Sequence, residues 1–529
     1  MKLQTIIKLL SCLAIVSCTH VPNGEIFESI NDDGIQINYM VTDDEKKYVE
    51  IVGKYVGDYQ NTYSGTIYVP QSISYKGEDY TVVAVGPRAF AYSEKLRAVI
   101  LPSTVTEIKD EGFYNCNRLE TIKMPQNLEA IGRFAFNHCQ AIDTLFIPKS
   151  IRKIGNGAFI DASCEYYSIP DKIDTIGVLA FAKFSCNKPL VINNELFAFP
   201  RNYSTSYTIP SNIKSIRECA FYSCHLSEIN IGENVESIGS EAFSSCYNIS
   251  SIVLPNSIKA IPFRCFSGCK FETCIIGNNV RVIDISAFSG NDKLNTIHIP
   301  SSVLKINSYA FQKCWHLKQI TFDEGIHEIC HNALEDCFDL SVIRFPNSLK
   351  LLGDEVFSGC KKLFYVEFGD KMETIGERTF MGCQSLAKVK FPLHINSIGK
   401  EAFAECGSLK EAILPMGLDS LSTGTFDKCT SLQKVILPSG IRTLCVSSIR
   451  QCVSLSEIII PASVTEIKAQ ALGWGEKTTL NVKMESSVAP KCHEDAFTCR
   501  KINLQIPKGS SENYIWATGW NKTGTPQEY

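Results

Sequence analysis

Residues 397–415 read SIGKEAFAECGSLKEAILP, and this phrase decides the fold because the chain repeats it. Isoleucine, Gly, Ala-Phe, Cys, Leu and an apolar-x-apolar-Pro run recur in this order eighteen times between residues 90 and 497. Most copies follow the previous one after 22 or 23 residues, and their Phe position is occupied by Phe90, Phe113, Phe136, Phe159, Phe181, Phe221, Phe243, Phe266, Phe288, Phe311, Leu334, Phe357, Phe380, Phe403, Phe426, Ile449, Leu472 and Phe497. A fixed period in the twenties predicts a solenoid, in which stacked units offer an extended surface for binding.

Each unit divides into two halves with different patterns. In residues 408–415, SLKEAILP, inward Ala412 and Leu414 alternate with outward Glu411 and Ile413, which indicates a short parallel strand that ends at the Pro. In IGKEAFAEC, residues 398–406, the apolar residues are three to five positions apart, which predicts a helical turn with Phe packed beneath it. The expected fold class is therefore α/β, with about 18 units of ~23 residues and a parallel sheet on one face.

The predicted domain boundaries follow from where the repeat starts and stops. Residues 19–34 are interpreted as a tether, residues 35–86 as an N-terminal β cap, residues 87–475 as the solenoid and residues 476–529, with Trp516 and Trp520, as a C-terminal cap, because terminal units would otherwise expose an apolar end. One interval is irregular, since residues 182–220 hold a single degenerate unit. A kink or a projecting loop is expected there.

The first 18 residues have the pattern of an export signal. MKLQTIIK carries two lysines, LLSCLAIV is a short apolar run, and Ser17 and Cys18 follow; this order of regions is typical of a secretory signal. Ile15–Val16–Ser17–Cys18 also resembles a bacterial lipobox, which implies cleavage before Cys18, a lipid on its thiol and attachment to a membrane. The alternative is an ordinary cleaved signal. The apolar run is too short for a transmembrane helix, which needs about 20 residues.

Cysteine is unusually frequent, with 23 in the chain. Twelve stand three residues after the Phe position and are called here the thiol ladder: Cys116, Cys139, Cys224, Cys246, Cys269, Cys314, Cys337, Cys360, Cys383, Cys406, Cys429 and Cys452. Side chains of neighbouring parallel strands point in parallel, which disfavours disulfides between them, so we expect buried thiols that fill a small slot and donate weak hydrogen bonds. A metal array is the alternative. Cys492 and Cys499 could pair near the C-terminus.

Residues 327–331 spell His-Glu-Ile-Cys-His, the zinc-protease signature. That motif works only when both His lie on one face of a helix. Here the register of the repeat explains the same letters, because His327, Glu328 and His331 occupy variable positions. No catalytic residue, metal or cofactor is predicted, and a zinc hydrolase is kept as a remote alternative. The net charge of −4 and the pI near 6.2 give no reason to expect nucleic acid as a partner.

The unit IxxIGxxAFxxCxxLxxIxIP, the block before it and the ending IPKGSSENYIWATGW, residues 506–520, resemble the BspA-like leucine-rich repeat proteins over residues 65–520. The resemblance implies a leucine-rich repeat solenoid. It also implies lipoproteins of anaerobic bacteria that adhere to host proteins or to other cells.

Outward strand positions of such a solenoid form one face. The middle outward position recurs every 23 residues as His298, Thr321, Arg344, Glu367, Lys390, Ile413, Ile436 and Ile459. The last three, called here the isoleucine row, are a candidate apolar contact with a polar rim; alternatively, β-branched residues simply suit strands. Arg344, Tyr365, Glu367 and Lys390, called here the charged cluster, are the second candidate, because Tyr and Arg are favoured at binding hot spots. Ordinary surface is its alternative.

The sequence thus predicts a non-catalytic recognition and adhesion protein that binds proteins or glycans along the solenoid face. Its expected partners are host extracellular proteins, glycans or other cells, together with a membrane through the lipid anchor, and it is expected to be a monomer. The predicted location is the outer membrane, exposed at the cell surface, with periplasm-facing attachment as the alternative. A structural or accessory lipoprotein for glycan capture is the second functional hypothesis.

Overall fold

The computed structural model describes residues 24–56, 60–474 and 478–529. The predicted signal segment and Cys18 lie outside the described residues. The chain divides into two compact units, residues up to 184 and residues from 185 onward. Each is built from stacked turns of parallel strands, which confirms the predicted solenoid.

Every regular repeat contributes a longer first strand and a two-residue second strand. In the first unit the first strands are Ser64–Tyr68, Lys95–Ile100, Thr121–Lys123, Ile142–Phe146 and Cys164–Ser168, and the second strands are Glu107–Ile108, Ala130–Ile131, Lys153–Ile154 and Thr175–Ile176. Within each sheet, a strand pairs in parallel with its equivalent one period later, as Ala130 does with Lys153.

The second unit continues the same pattern in its own sheets. Its first strands are Ser206–Thr208, Glu228–Asn230, Ser251–Val253, Thr273–Ile275, Thr296–Ile299, Gln319–Phe322, Val342–Arg344, Tyr365–Glu367, Lys388–Lys390, Glu411–Ile413, Lys434–Ile436, Glu457–Ile460, Thr479–Met484 and Lys501–Ile506. Its second strands are Ser215–Ile216, Ser237–Ile238, Ala260–Ile261, Val282–Ile283, Lys305–Ile306, Glu328–Ile329, Leu351–Leu352, Thr374–Ile375, Ser397–Ile398, Ser420–Leu421, Thr443–Leu444, Glu466–Ile467 and Lys491–Cys492. The first strands from Ser251 to Lys390 form one seven-stranded sheet.

The N-terminal block is a mixed sheet of strands Ile26–Ile30, Gln36–Asp43, Tyr48–Val52, Ser72–Tyr75 and Glu78–Val85, with a short pair Tyr55–Val56 and Gln60–Asn61. The first three pair antiparallel in sequence order. Strand Glu78–Val85 pairs in parallel with the first two-residue strand of the solenoid. Residues 26–30, which the sequence places in a tether, are thus a strand whose main chain bonds to the next one.

The helical turn predicted for the second half of each unit is not what the structure shows. In each regular turn, the residues two positions before and two positions after the buried Phe have left-handed main-chain angles. Around Phe403 these residues are Glu401 (φ 54°) and Glu405 (φ 62°). Left-handed residues interrupt an α-helix. The main-chain N–H groups of Glu401, Phe403 and Glu405 donate to carbonyl groups of the next repeat instead. Phe403 N lies 2.9 Å from Thr425 O. Apolar spacing of three to five residues fits this turn as well as a helix.

In each of the two compact units, the core contains a stack of Phe rings, one from most repeats. Phe357, Phe380 and Phe403 have no exposed surface, and their ring centroids are 5.3 and 5.2 Å apart with planes within 8° of parallel. Burying one such side chain stabilises the fold by about 1.5–3 kcal/mol. Because Phe380 packs on the ring before it and on the ring after it, the repeated Phe couples neighbouring repeats.

The ladder cysteines are buried free thiols, as predicted. Each is three residues after the Phe position, and all twelve thiols donate to a main-chain carbonyl one repeat earlier. In eleven the acceptor is the residue at the Phe position, as for Cys383 and Phe357 at 3.2 Å or Cys360 and Leu334 at 3.3 Å. For Cys224 the acceptor is Phe199 in the irregular segment, at 3.5 Å. Asn291 replaces the Cys in one unit, and its amide donates to Phe266 at 2.7 Å. The slot therefore selects a small donor. Cys492 and Cys499 are both free, the first buried and the second exposed.

The irregular segment contains an antiparallel hairpin rather than a further regular turn. Strands Leu190–Ile192 and Glu195–Ala198 are joined by Asn193 and Asn194, whose φ angles are 54° and 62°. Asn tolerates this left-handed conformation, which a two-residue hairpin turn requires. The second hairpin strand then pairs in parallel with Ser215–Ile216.

The C-terminal end carries the one helix found among the described residues, Ser511–Ile515. Trp520 is buried and its indole N–H donates to Pro490 O at 2.8 Å, whereas Trp516 is 84% exposed. Strand Gln527–Glu528 pairs with Lys501–Ile506. Within the described residues, no helix has the length and apolarity needed to cross a membrane.

Candidate functional site

The outward face of the first strands in the second unit, called here the strand face, holds the predicted site residues. Alternation along each short strand sends one side chain into the core and its neighbours into solvent, as in Glu411–Ile413, where only Ala412 is buried. The exposed residues therefore form rows that run across the strands.

The isoleucine row is exposed, with 54% of Ile413, 40% of Ile436 and 45% of Ile459 accessible to solvent. Ile413 and Ile436 are paired across neighbouring strands. Ile459 pairs with Lys483 on the following strand, and the Lys483 ammonium lies 4.2 Å from the centre of the Tyr529 ring. The row is therefore an apolar strip that meets a cation at one end.

The rim of that strip is ionic. In the neighbouring outward row, Lys434 Nζ lies 2.8 Å from Glu411 Oε1. On the strand before Ile413, Lys390 Nζ donates to Glu367 Oε1 at 2.7 Å. Apolar strips with polar rims are typical of interaction sites.

The structure brings all four residues of the charged cluster into contact. Glu367 is the centre: Arg344 Nε lies 3.5 Å from its Oε2, and Tyr365 Oη donates to the same oxygen at 3.1 Å. The Arg344 guanidinium also lies 5.5 Å from the centre of the Tyr365 ring. The hydrogen bond from Lys390 lowers the pKa of Glu367, while burial and the hydrogen bond to Glu367 raise the pKa of Tyr365. The cluster is thus preorganised, with its carboxylate ionised at neutral pH.

The strand face has a second apolar part that the sequence analysis missed. Val253 is 57% and Ile275 is 60% exposed, and the two are paired on neighbouring strands. They belong to the same outward row as the isoleucines: Ile275 lies one period before His298, and Val253 lies two periods before it. The signal was present in the sequence, since the 22–23-residue period extends back from His298 to both positions.

A cavity beside the strand face was also missed. It has a volume of about 450 Å³ and is called here the polar groove; its lining residues are Glu272, Thr273, Lys293, Asn295, Thr296, His316, Lys318 and Asp339. These residues lie in the turns before the first strands and at the first outward positions of two strands. Next to it in the chain, Trp315 and Phe338 each follow a ladder cysteine directly. In the sequence, the groove could have been suspected from these aromatic residues, which recur at the position after the ladder cysteine.

The zinc signature lacks the structure that it requires. Glu328 lies in the two-residue strand Glu328–Ile329, and its carboxylate pairs with Lys305 Nζ at 2.8 Å. His331 lies in the following turn with Nδ1 3.1 Å from Asp354 Oδ2, so the two histidines do not share a helix face. Across the part of the chain that the structure describes, no group of three or more His, Cys, Asp or Glu is arranged to hold a metal ion.

The repeat is matched by a family model described as a BspA type leucine rich repeat region (6 copies), over residues 71–188, 190–271, 236–364 and 352–474. Similar solved structures include a leucine-rich repeat protein from Bacteroides ovatus (26% identity, 81% of this chain and 94% of that chain, TM-score 0.45). A leucine rich cell surface protein from Faecalibacterium prausnitzii is also similar (21% identity, 81% and 93%, TM-score 0.32). The pneumococcal vaccine antigen PcpA is a third (16% identity, 96% and 99%, TM-score 0.31).

No curated protein matches the sequence. The family model, in contrast, covers well over half of the chain and coincides with the stacked turns of both compact units. The chain therefore belongs to the BspA-type leucine-rich repeat family.

Proposed function

We propose that this protein is a non-catalytic recognition and adhesion protein that binds host extracellular proteins, glycans or other cells through the strand face. The observation that carries the proposal is the exposed isoleucine row. Three aliphatic side chains on successive strands keep 40–54% of their surface in water, although removing apolar surface from water stabilises a protein by about 25 cal/mol per Å². A partner that covers the row recovers this free energy.

The ionic rim supports the same proposal. Lys390, Glu367 and Arg344 hold each other in place before any partner arrives, so their side chains lose little conformational freedom on binding. Charged rims contribute mainly to association rate and to choice of partner, whereas the apolar centre contributes more of the affinity. We assign affinity to the isoleucine row and selectivity to the charged cluster.

Attachment to the outer membrane through a lipid on Cys18, with the solenoid exposed at the cell surface, is part of the proposal. Its support is the order of charged, apolar and small residues in the first 18 positions. A single anchored monomer presents a whole row of outward positions to one partner, and several weak contacts on one scaffold then act together.

Adhesion is tested with the full-length protein displayed on its own cells. The triple variant Ile413→Ser, Ile436→Ser, Ile459→Ser is expected to reduce attachment to host cells and to purified extracellular-matrix proteins at least tenfold. Leu351→Ser is the matched control, because Leu351 is 42% exposed but lies on a second strand, off the strand face. Equal attachment of the triple variant and the wild type would contradict the assignment.

Location is tested by protease treatment of intact and lysed cells. Degradation of the solenoid on intact cells is the expected result. Protection until lysis would place it in the periplasm, and the adhesion proposal would then fail whatever the isoleucine variants do.

A further inference from the structure

We infer that the polar groove binds a neutral, linear oligosaccharide, with Trp315 packing against a sugar ring at its edge. This inference rests on the proposed recognition function and assigns one ligand class to a site apart from the isoleucine row.

The groove offers hydrogen-bonding groups that the fold leaves available. Among the described residues, no side-chain hydrogen bond or ion pair engages the side chains of Glu272, Lys293, Asn295 or Lys318, although neighbouring first strands elsewhere form such pairs. Together they supply an acidic acceptor, two cationic donors and an amide that both donates and accepts. Sugar hydroxyls likewise donate and accept, so they match this mixed set.

The net charge of the lining favours a neutral ligand. Lys293 and Lys318 balance Glu272 and Asp339, so neither a polyanion nor a polycation gains from the groove as a whole. Asp339 already has two partners, with its carboxylate 2.9 Å from His316 Nδ1 and 2.7 Å from Lys362 Nζ. These contacts fix the position of the Asp339 carboxylate in the wall of the groove.

An aromatic pair adjoins the polar residues. Trp315 precedes the lining residue His316 and Phe338 precedes the lining residue Asp339, and the two ring centroids are 6.4 Å apart with planes 6° from parallel. Trp315 is 43% exposed. The C–H face of a pyranose ring packs on such a ring, while its hydroxyls need polar partners to one side. Both kinds of group are therefore found in the same two turns, the polar ones in the lining and the aromatic ones next to it in the chain.

The repeat also sets the length of the site. Glu272, Asn295 and Lys318 occupy equivalent positions of three successive units, since the N–H of each later residue donates to the carbonyl of the one before. Parallel strands are ~4.8 Å apart, which is close to the advance of one pyranose in an extended chain. The groove therefore fits about three sugar residues, one per unit.

The test is calorimetric titration of the full-length protein with neutral linear tetrasaccharides: β-1,4-glucose, β-1,4-mannose, β-1,4-xylose and α-1,4-glucose, with the monosaccharides and a sulfated heparin tetrasaccharide for comparison. At least one neutral tetrasaccharide is expected to bind saturably, and more tightly than its monosaccharide and the heparin fragment. Trp315→Ala should weaken that binding at least tenfold, and Glu272→Gln several-fold.

Trp516→Ala is the matched control, because Trp516 is more exposed than Trp315 and lies far along the chain; it should bind like the wild type. Absence of saturable binding to every neutral tetrasaccharide, preference for heparin, or equal binding by Trp315→Ala overturns the inference. Host-cell attachment is measured on the same variants. Attachment that depends on the isoleucine row but not on Trp315 would leave the proposed function standing without the sugar site.

Discussion

The thiol of Cys406 donates a hydrogen bond to the main-chain carbonyl of Phe380, one unit earlier, with Sγ 3.3 Å from the oxygen. Both residues are fully buried. Replacing Cys406 by Ala leaves that carbonyl without its donor and opens a small void, so Cys406→Ala should lower the free energy of unfolding by about 1–3 kcal/mol. Urea unfolding followed by circular dichroism measures the change.

Two companion variants separate the hydrogen bond from the void. Cys406→Ser keeps a donor of similar size and should cost less than Cys406→Ala. Cys445→Ala, at a half-buried cysteine off the ladder, should cost less than either. If all three variants unfold at the same urea concentration, the thiol-to-carbonyl bond has no special role.

Burial should also make the ladder unreactive. Desolvation raises the pKa of Cys116 to about 12 and that of Cys314 to about 12, and the thiolate is the reactive form. Iodoacetamide at pH 8 is therefore expected to label exposed Cys499 in the native protein and the ladder cysteines only after denaturation. Peptide mass spectrometry identifies the labelled sites, and Cys499→Ser should remove the native label. Ladder peptides labelled as fast as the Cys499 peptide would contradict the buried slot.

The buried ladder thiols should also make the free energy of unfolding fall as the pH rises. Burial raises the folded-state pKa of Cys314 above the ordinary value of 9.0 to about 12, so between these values the folded chain holds a proton that the unfolded chain has released. The contribution to stability is complete below pH 9 and falls by about 1.4 kcal/mol per pH unit above it. Cys314→Ala should therefore have a shallower loss of stability between pH 9 and 10.5 than the wild type. Cys499→Ala should follow the wild-type slope.

Repetition explains why so much of this fold was predictable from the sequence. Eighteen copies of one phrase average out local ambiguity, so the short strand before Pro415 and the buried Phe403 and Cys406 could be placed from periodicity alone. The turn around Phe403 could not, because apolar spacing does not distinguish a helical turn from one with left-handed residues at Glu401 and Glu405. Those angles are stabilised by hydrogen bonds to the next unit, which a single unit does not reveal.

The candidate site also has a part that could be predicted from the sequence and a part that could not. The row from Arg344 to Ile459 follows from the 23-residue period, and the structure pairs Arg344 with Glu367, Glu367 with Lys390, and Ile413 with Ile436. The polar groove does not follow from it, because most of its lining residues come from turn positions where the residue type varies from one repeat to the next. Trp315 and Phe338 are aromatic residues directly after ladder cysteines in two successive repeats, a pattern that Tyr247 shows singly after Cys246.

The Phe stack should be the most sensitive part of the core. Phe380 packs on Phe357 and Phe403 on its two sides, so Phe380→Ala removes contacts with both units and should cost about 3–5 kcal/mol. Phe380→Leu should cost less, because Leu334 occupies the same position in another unit without exposed surface. Phe364→Ala is the surface control, since Phe364 is 50% exposed. Thermal unfolding monitors all three, and an equal effect of the Phe364 and Phe380 substitutions would disprove ring-stack coupling.

Glu367 has contacts that affect stability and a proposed role in binding, and one substitution can separate the two effects. The hydrogen bond from Lys390 lowers the pKa of Glu367, so its contribution is present above the ordinary carboxyl pKa and is lost as the pH falls through the lowered value. Because the partners are well exposed, solvent screens the pairs, and Glu367→Gln should change the free energy of unfolding by at most about 1 kcal/mol. Its effect on attachment should be larger, because Arg344 and Lys390 then lose the carboxylate that positions them. We expect attachment to fall several-fold and its dependence on salt to change, whereas Lys388→Gln, on the same strand as Lys390, should change neither substantially. A Glu367→Gln protein that unfolds early and attaches normally would instead make the charged cluster a structural element rather than a contact with the partner.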